Sequence, residues 1–354
     1  MAGQVLCLSR PFCQNYRGLN YNIGKRANIV LETPNYNMHG KELIMAGRSL
    51  RASLGTNSTL LRGSIRRWFP LFLLPTLAAF FIGFIYPFLK GVYLSFCTFT
   101  TTSNAEFLGL RKLFYNYARA AGDPSFMYSF GYTALFAVVS LVLINVLAFF
   151  FAYWFTQGIR GAHLFRTAFF IPNLIGGIVL GYIWSMIFNG ILIRFGTNIL
   201  ADTRFGFWGL MILMLWQQIG YMMIIYIAGL QAVPESLIEA ARIDGAGRLQ
   251  TLFKVTIPNV MSSITVCTFL TLTNGFKLFD QNLALTGGEP FNFTESGSVI
   301  HTTEMLALNI YNTFYGSNTS ARGQAQAKAV LFFILVAAIS LIQLKITRSK
   351  EVQQ

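Results

Sequence analysis

Six stretches of the chain contain no Asp, Glu, Lys or Arg and are rich in Leu, Ile, Phe and Val: residues 68–89, 124–159, 167–193, 205–234, 255–276 and 329–344. A helix needs about 20 apolar residues, at about 1.5 Å of rise each, to cross a bilayer. Five of the stretches reach that length. The sixth reaches it if residues 325–328 extend it, with the Lys328 side chain reaching back to the membrane interface. The pattern predicts six transmembrane helices at about 68–89, 130–156, 167–188, 207–231, 259–276 and 327–345.

A seventh charge-free stretch, residues 305–321, has a different character because five of its residues are Asn or Ser. We therefore predict an amphipathic segment on the exterior side rather than another span. Within the third predicted span, Gly177 and Gly181 form a G-x-x-x-G pair, which allows another helix to approach closely.

Composition and charge agree with a membrane protein. The chain is 54% hydrophobic and only 11% charged, whereas soluble proteins have about 25% charged residues. If both termini are cytoplasmic, the cytoplasmic segments are 1–67, 157–166, 235–258 and 345–354, and they hold 18 of the 27 Lys and Arg residues. Such a bias predicts this orientation. The net charge of +14 then reflects topology, and no basic stripe interleaved with aromatic residues predicts a nucleic-acid partner.

The organisation along the chain follows from these segments. Residues 1–60 mix Asn, Gly, Arg and Ser without a helical or strand period, and we predict a disordered N-terminal tail in which Met38 and Met45 offer alternative translation starts. Residues 61–346 form the predicted membrane domain, and residues 347–354 a cytoplasmic tail.

The sequence offers no catalytic constellation. The four cysteines (Cys7, Cys13, Cys97 and Cys267) do not have the spacing of a zinc site or a disulfide framework. The three histidines (His39, His163 and His301) lie outside the predicted spans. The titratable residues Asp280, Glu289, Glu295 and His301 are predicted to lie in a solvated exterior loop, without a nucleophile–base pair. We predict no catalytic residue, no metal and no cofactor.

The 234–258 segment, which we call the inter-span loop, carries six charges between two apolar spans. Pro234 suits the first position of a helix, and Glu235 and Glu239 suit its positive N-terminal end. Gly245 marks the stop of that helix. A second short helix is predicted at 248–254, and Pro258 marks the entry to span five. By composition alone, this segment could be an ordinary amphipathic loop on the bilayer surface.

The spacing of the loop is more specific than its composition. Glu239-Ala240-Ala241 is followed after three residues by Gly245, and after nine more by Val255-x-Ile257-Pro258. This pattern resembles the EAA loop of the permeases of binding-protein-dependent ABC importers. The resemblance implies that the loop is a coupling helix seated in a cleft of a separate ATPase subunit. It assigns ATPase coupling to Glu239, Ala240, Ala241, Asp244, Gly245 and Pro258.

The resemblance extends over about residues 65–346. Within the family, the chain is most similar to the carbohydrate-uptake branch, in particular to the first permease subunit of maltose- and glycerol-phosphate-like systems. The segments that carry it are Glu239-Ala240-Ala241 with Asp244-Gly245-Ala246, Ile171-Pro172-Asn173, Tyr182 and Trp184 with Phe188-Asn189, Phe279-Asp280, Leu285-Thr286-Gly287-Gly288 with Pro290, Leu74-Pro75, Tyr86-Pro87-Phe88 and Ser95-Phe96. It implies an all-α integral membrane fold of the type I, MetI-like importer class. It also implies a bacterial cell-membrane location.

The partners implied by the resemblance are a second permease in a heterodimer, an ABC ATPase dimer and an extracytoplasmic sugar-binding protein. The chain has no G-x-x-x-x-G-K-[ST] phosphate loop. Energy for transport must therefore arrive from a partner, and the inter-span loop is the only predicted cytoplasmic loop long enough to receive it. Closure of the ATPase dimer would rock spans three to five and alternate the access to a pore.

A sugar path needs hydrogen-bonding groups beside aromatic rings. The candidates are Asn173, Trp184, Gln217, Gln218, Tyr221 and Asn274. Each amide could instead hold neighbouring helices together. An ion-coupled secondary transporter is the alternative function, but such a protein usually carries ionisable residues inside its spans, and these windows have none.

Overall fold

The computed structural model describes residues 69, 71, 73–101, 104–158, 160–293, 297 and 299–349. The predicted N-terminal tail, Cys7, Cys13, His39, Glu295 and the last five residues lie outside the described residues. The chain divides into two compact units, Met1–Gly83 and Phe84–Gln354. In the first unit the described residues are helical and their apolar side chains are exposed. The features below concern the second unit unless a helix is named as spanning both.

The described helices are, in chain order, Leu73–Leu94 (α1), Tyr115–Ala121 (α2), Pro124–Phe155 (α3), Ala162–Phe170 (α4), Gly177–Leu192 (α5), Thr203–Gln231 (α6), Glu235–Ile243 (α7), Arg248–Asn259 (α8), Met261–Phe276 (α9), Asp280–Leu285 (α10), Leu306–Tyr315 (α11) and Arg322–Arg348 (α12). Four short strands form two antiparallel hairpins: Cys97–Phe99 (β1) pairs with Ala105–Phe107 (β2), and Phe291–Phe293 (β3) pairs with Val299–His301 (β4). The sequence predicted no strand.

Five of the described helices are long and apolar enough to cross a membrane: Leu73–Leu94, Pro124–Phe155, Gly177–Phe195, Thr203–Gln231 and Thr319–Arg348. Helices α8 and α9 meet at a bend of 72° and give a sixth span if they are counted together. The bend follows Pro258, which has no N–H to donate to the carbonyl four residues earlier, and a wide π-turn at Leu252–Thr256 precedes it. With that bent pair counted as one span, the described helices give six spans, the number that was predicted.

The third span is not the continuous helix that was predicted for 167–188. Helix α4 ends at Phe170, a 3-10 turn covers Ile171–Leu174, and the backbone is extended at Ile175 and Gly176 before α5 begins. Pro172 removes one helical donor at this break. The helix long enough to cross a membrane here is Gly177–Phe195, so the predicted span overlaps it but starts ten residues too early, and the apolar pattern could not show that the helix is broken.

Helix α6 lies at the centre of the described bundle. Of its most apolar window 61% is buried, against 28% for α3 and 11% for α12. The main core lies where α6 packs against α3, and includes Phe136, Ile144, Leu210, Met214 and Met222. The large exposed apolar faces on the outer helices are expected for a protein whose solvent is lipid.

Small residues set two of the closest helix contacts. A methyl group at Gly177 would lie 2.7 Å from Asp280 Cβ, and one at Gly181 would lie 2.5 Å from Ala284 Cβ. Helix α10 therefore packs directly on the predicted G-x-x-x-G pair, and the close approach predicted from that pair is confirmed. A Cβ at Gly220 of α6 would lie 1.9 Å from the Phe169 carbonyl oxygen, so the end of α4 rests on the α6 backbone.

Candidate functional site

Helix α7 in the inter-span loop ends through local hydrogen bonds that the sequence dictates. The Ala246 N–H donates to the Ala241 carbonyl at 2.9 Å, and the Gly245 N–H donates to the Arg242 carbonyl at 3.1 Å. This is the Schellman arrangement, which needs a left-handed residue after the cap. Gly245 supplies it with φ = +81°. The stop predicted at Gly245 is thus confirmed, and Asp244 is the cap residue.

The outer surface of α7 is open. Glu239 and Ala240 are exposed, Ala241 is half-buried, and Ile243 is 85% exposed. Ile238, on the opposite face, packs against the main core and holds the helix in place. In the part of the chain that the structure describes, no ion pair joins Glu239 to Arg242. Small and apolar side chains surrounded by unpaired charges thus face outward, as a docking surface for another protein would.

The second half of the loop continues this exposed surface. Helix α8 begins at Arg248, as predicted for a helix at 248–254, but it continues to Asn259. Leu249 and Phe253 are 71% and 64% exposed, so they are not the buried contacts that a surface-packed loop would have. Pro258 is half-buried beside the bend. The bend joins the exposed loop directly to the fifth span.

The structure places four of the six candidate path residues in two separate hydrogen-bonded groups. Gln217 is buried, and both ends of its amide are used: Nε2 donates to the Ile175 carbonyl at 3.3 Å, and Oε1 accepts from Gln281 Nε2 at 2.8 Å. Asn173 Nδ2 donates to the Gln217 carbonyl at 3.5 Å. The Ile175 carbonyl belongs to the extended break between α4 and α5, so Gln217 supplies the partner that a broken helix lacks in lipid.

Gln218 and Asn274 form the other group. The Asn274 Nδ2 donates to Gln218 Oε1 at 3.4 Å, and both residues are half-buried. This pair joins α6 to α9 without using every polar atom, so hydrogen-bonding capacity remains for a ligand. Tyr221, one turn further along α6, is also half-buried and packs against the core. Trp184 packs edge-to-face on Trp216, with the ring centroids 5.5 Å apart.

Residues 160–350 match the family of binding-protein-dependent transport system inner membrane components. The chain is 42% identical, over 81% of its length and 96% of the relative, to a probable starch degradation products transport system permease protein of Thermoanaerobacterium thermosulfurigenes. The chain belongs to this family. It is also 31% identical, over 80% of its length and 97% of the relative, to a multiple sugar-binding transport system permease protein of Streptococcus mutans.

The fold of the permease agrees with a solved structure. A bacterial ABC transporter involved in the import of the acidic polysaccharide alginate aligns with a TM-score of 0.65 at 18% identity, over 82% of this chain and 98% of that chain. The predicted helical importer-permease architecture is therefore confirmed, and the protein is a multi-pass membrane protein. Membership in the family favours an importer permease over the ion-coupled secondary transporter.

The sequence prediction for the Lys328 side chain is wrong. Lys328 does not extend to the membrane interface: its side chain is only 1% exposed. Its Nζ lies 2.7 Å from Asp123 Oδ2 and donates to Asn309 Oδ1 and Thr313 Oγ1, each at 2.9 Å. It also lies 5.3 Å from the centre of the Phe126 ring. A buried ammonium needs a counter-ion to offset its desolvation, and tertiary packing supplies Asp123 here.

The same cluster contains Glu304, which the sequence reading did not single out. Glu304 is 1% exposed, and its carboxylate accepts hydrogen bonds from Asn309 Nδ2 at 2.7 Å and Asn312 Nδ2 at 2.6 Å. We call Asp123, Glu304, Asn309, Asn312 and Lys328 the polar cluster. It ties α11 to α12 and to the start of α3. A lysine within an apolar span was the available signal, since such a charge requires a partner.

The predicted exterior loop is only partly solvated. Asp280 is exposed at the start of α10, but Glu289 and His301 are half-buried, with Glu289 Oε1 lying 3.8 Å from His301 Nδ1. Segment 305–321 contains α11, a 10-residue helix too short to span a membrane, whose Leu306, Leu308 and Asn309 are buried. The two described cysteines, Cys97 and Cys267, are buried free thiols.

Proposed function

We propose that this permease is the first of two membrane subunits of an ATP-driven importer that carries a sugar or oligosaccharide into a bacterial cell. An extracytoplasmic binding protein delivers the substrate, and an ATPase dimer on the cytoplasmic side supplies the energy. The chain itself catalyses no reaction. The relatives named for starch degradation products and for multiple sugars support the substrate class.

The proposed arrangement in the membrane follows from the basic residues and the domain limits. Residues 61–346 form the membrane domain, and the tails 1–60 and 347–354 are cytoplasmic, as is the inter-span loop. The charge bias supports this orientation. The polar cluster and both hairpins then lie toward the exterior, where the binding protein would dock.

The observation that carries the proposal is the exposure of α7. Ala240, the Gly245 stop and the unpaired charges of α7 are exposed and Ala241 is only half-buried, although alanine and glycine are often fully buried. The coupling role is assigned to Glu239, Ala240, Ala241, Asp244, Gly245 and Pro258. ATPase closure pulls on α7, the pull passes through α8 and its bend to α9, and access to the pore alternates.

The proposed path is centred on Gln218 and Asn274, with Tyr221 beside them. Their free hydrogen-bonding groups suit sugar hydroxyls, and an aromatic ring can pack on a sugar face. Asn173, Gln217 and Trp184 remain members of the path in this proposal. Both ends of the Gln217 amide already have protein partners, so Gln217 holds the path in shape rather than binding the sugar itself.

Uptake by the reconstituted importer tests the coupling role. Glu239→Lys and Gly245→Asp should abolish ATP-driven uptake into vesicles, the first by reversing a docking charge and the second by straining the helix stop. The control is Lys345→Glu, a charge reversal at an exposed position of α12 outside the loop, which should transport normally. Normal uptake by both loop variants, with the ATPase still bound, would contradict the proposal.

Alanine at Gln218 and at Asn274 tests the path. Each change should weaken uptake of the sugar while the complex still assembles and its basal ATPase activity persists. The substrate itself is best identified by a binding screen on the cognate binding protein. Unchanged sugar dependence of uptake in the combined Gln217, Gln218 and Asn274 alanine variant would remove these residues from the path.

A further inference from the structure

An apolar cleft lies between α3 and the bend that joins α8 to α9. Its volume is about 450 Å³, within the range of about 300–1,000 Å³ that is typical of small-molecule sites. Its lining contains a single amide, Asn145, whose groups are already bonded to Tyr226, to Thr271 and to the Leu141 carbonyl. The other lining residues are Val146, Phe149, Phe150, Tyr153, Tyr226, Leu252, Phe253, Ile257 and Ile264.

A second cavity of about 470 Å³ adjoins the cleft, because the two share Phe150, Tyr153 and Leu252. The second cavity adds Gln157 and Arg248, and Trp154 lies on its lining as well. Arg248 is exposed, and within the described residues it takes part in no ion pair. The cleft and the second cavity together form a groove that is apolar along its inner part and cationic at its mouth. We call it the α3–α8 groove.

We propose that the α3–α8 groove binds one phospholipid with an anionic headgroup. The acyl chain occupies the apolar cleft, where the side chains of Asn145 and Tyr226 are already hydrogen-bonded to each other, and the headgroup phosphate meets Arg248 at the mouth. Arginine is well suited to phosphate because its planar guanidinium donates two parallel hydrogen bonds. The charge complementarity favours an anionic lipid over a neutral one. A lipid is also the most abundant apolar molecule around a multi-pass membrane protein.

The groove has a mechanical consequence. Its walls are formed by α3 on one side and by the π-turn of α8 on the other. A bound lipid therefore contacts both α3 and α8, the helix that connects the inter-span loop to α9. Any displacement of α8 against α3 changes the width of the groove. The lipid site goes beyond the transport function proposed above, and only the leaflet that supplies the lipid depends on the proposed orientation.

Photolabelling of the assembled importer in nanodiscs tests the proposal. The probes are phosphatidylglycerol and phosphatidylcholine that carry the same diazirine in one acyl chain, followed by peptide mapping. We expect labels from phosphatidylglycerol on residues 146–153 and 252–257, at least fivefold stronger than from phosphatidylcholine. Arg248→Gln should reduce that preference to near unity, whereas Lys345→Gln, an equal charge loss at an exposed position of α12, should leave it unchanged.

A second variant separates the site from the fold of the loop. Val146→Trp changes an exposed residue of the cleft wall and should fill the apolar part, so that labelling falls although Arg248 is intact. Equal labelling by both lipids that does not respond to Arg248→Gln would overturn the proposal. A disulfide formed in the assembled importer between Phe150→Cys and a cysteine introduced into the second permease would overturn it too, because a protein segment would then fill the groove.

Discussion

The inter-span loop and the polar cluster hold their charged side chains in opposite environments. In the cluster, the Lys328 ammonium and the Glu304 carboxylate are 1% exposed and every charged group has a bonded partner. In the loop, Glu239, Arg242 and Arg248 are exposed, and the described residues offer them no ion pair. Buried charges must be paired within the fold because desolvation is expensive, whereas exposed charges are available to another molecule.

The comparison teaches that the two regions respond to substitution in different ways. A change in the polar cluster should lower stability, because it leaves a buried charge or amide without a partner. A change in the loop should leave stability almost unaltered and reduce the coupling to a partner. The following predictions test this contrast, in order of the expected change in stability.

The largest effect is expected for Asp123→Asn. The new side chain can still cap α3, as Asp123 does by accepting from the Ser125 N–H, but the buried Lys328 ammonium loses its counter-ion. Breaking such a pair costs about 3–5 kcal/mol, which should appear as a clear drop in the melting temperature of the purified complex. Asp202→Asn is the matched control, because Asp202 caps α6 from an exposed position. Equal melting temperatures for the two variants would contradict the pairing argument.

The double variant Asp123→Asn with Lys328→Met sharpens that result. Methionine removes the buried charge while keeping a long apolar side chain, so the double variant should be more stable than Asp123→Asn alone by about 1–3 kcal/mol. Thermal unfolding of the single and double variants measures the recovery. A double variant less stable than Asp123→Asn would show that the Lys328 hydrogen bonds, rather than its charge, dominate.

An intermediate effect is expected for Gln217→Leu. The change leaves the Ile175 carbonyl and the Gln281 amide without their described partner, and a buried unsatisfied polar group costs about 1–3 kcal/mol. The neighbouring residue, Gln218, makes one side-chain hydrogen bond of 3.4 Å. Gln218→Leu should therefore lower the stability less than Gln217→Leu does, and it should lower sugar uptake more. Thermal unfolding and sugar uptake, measured for both variants, separate the structural role of Gln217 from the path role of Gln218. The reverse ranking would show that the two roles are exchanged.

A smaller effect is expected for Gly245→Ala. Placing a Cβ at φ = +81° costs about 1–2 kcal/mol, but the strain is confined to the exposed end of α7. The melting temperature should fall slightly, while the affinity for the ATPase should fall further because the end of α7 changes shape. Gly247→Ala, at a negative φ and with open space around its Cβ, serves as the control. Loss of ATPase binding in both variants would rule out the Gly245 turn as the cause.

The smallest change in stability is expected for Glu239→Gln. Exposed substitutions away from special structure usually alter stability by less than about 0.5 kcal/mol, and this side chain has no described ion-pair partner. Uptake should nevertheless fall, and the affinity for the ATPase should become less sensitive to salt. A melting temperature that falls as far as in Asp123→Asn would remove the contrast between the two regions.

The number of spans, the loop between spans four and five and its Gly245 stop were predictable because each has a local cause. A span is a matter of apolar length, and a Schellman turn requires a residue that tolerates positive φ within a few positions. The break of the third span was less accessible. Pro172 is visible in the sequence, but a proline inside a span can also be accommodated by a bend, and the outcome depends on whether a neighbour satisfies the freed carbonyl.

What the sequence determined by itself is therefore the membrane character, the segmentation and the identity of the exposed loop. Tertiary structure alone decided that Lys328 is buried, that Glu304 belongs to the same cluster, and that Gln217 supports a broken helix while Gln218 keeps free hydrogen-bonding groups. Asp123 and Lys328 are 205 positions apart in the chain, so no local pattern can pair them. The energy of a buried charge depends on its partner, and the partner is chosen by packing.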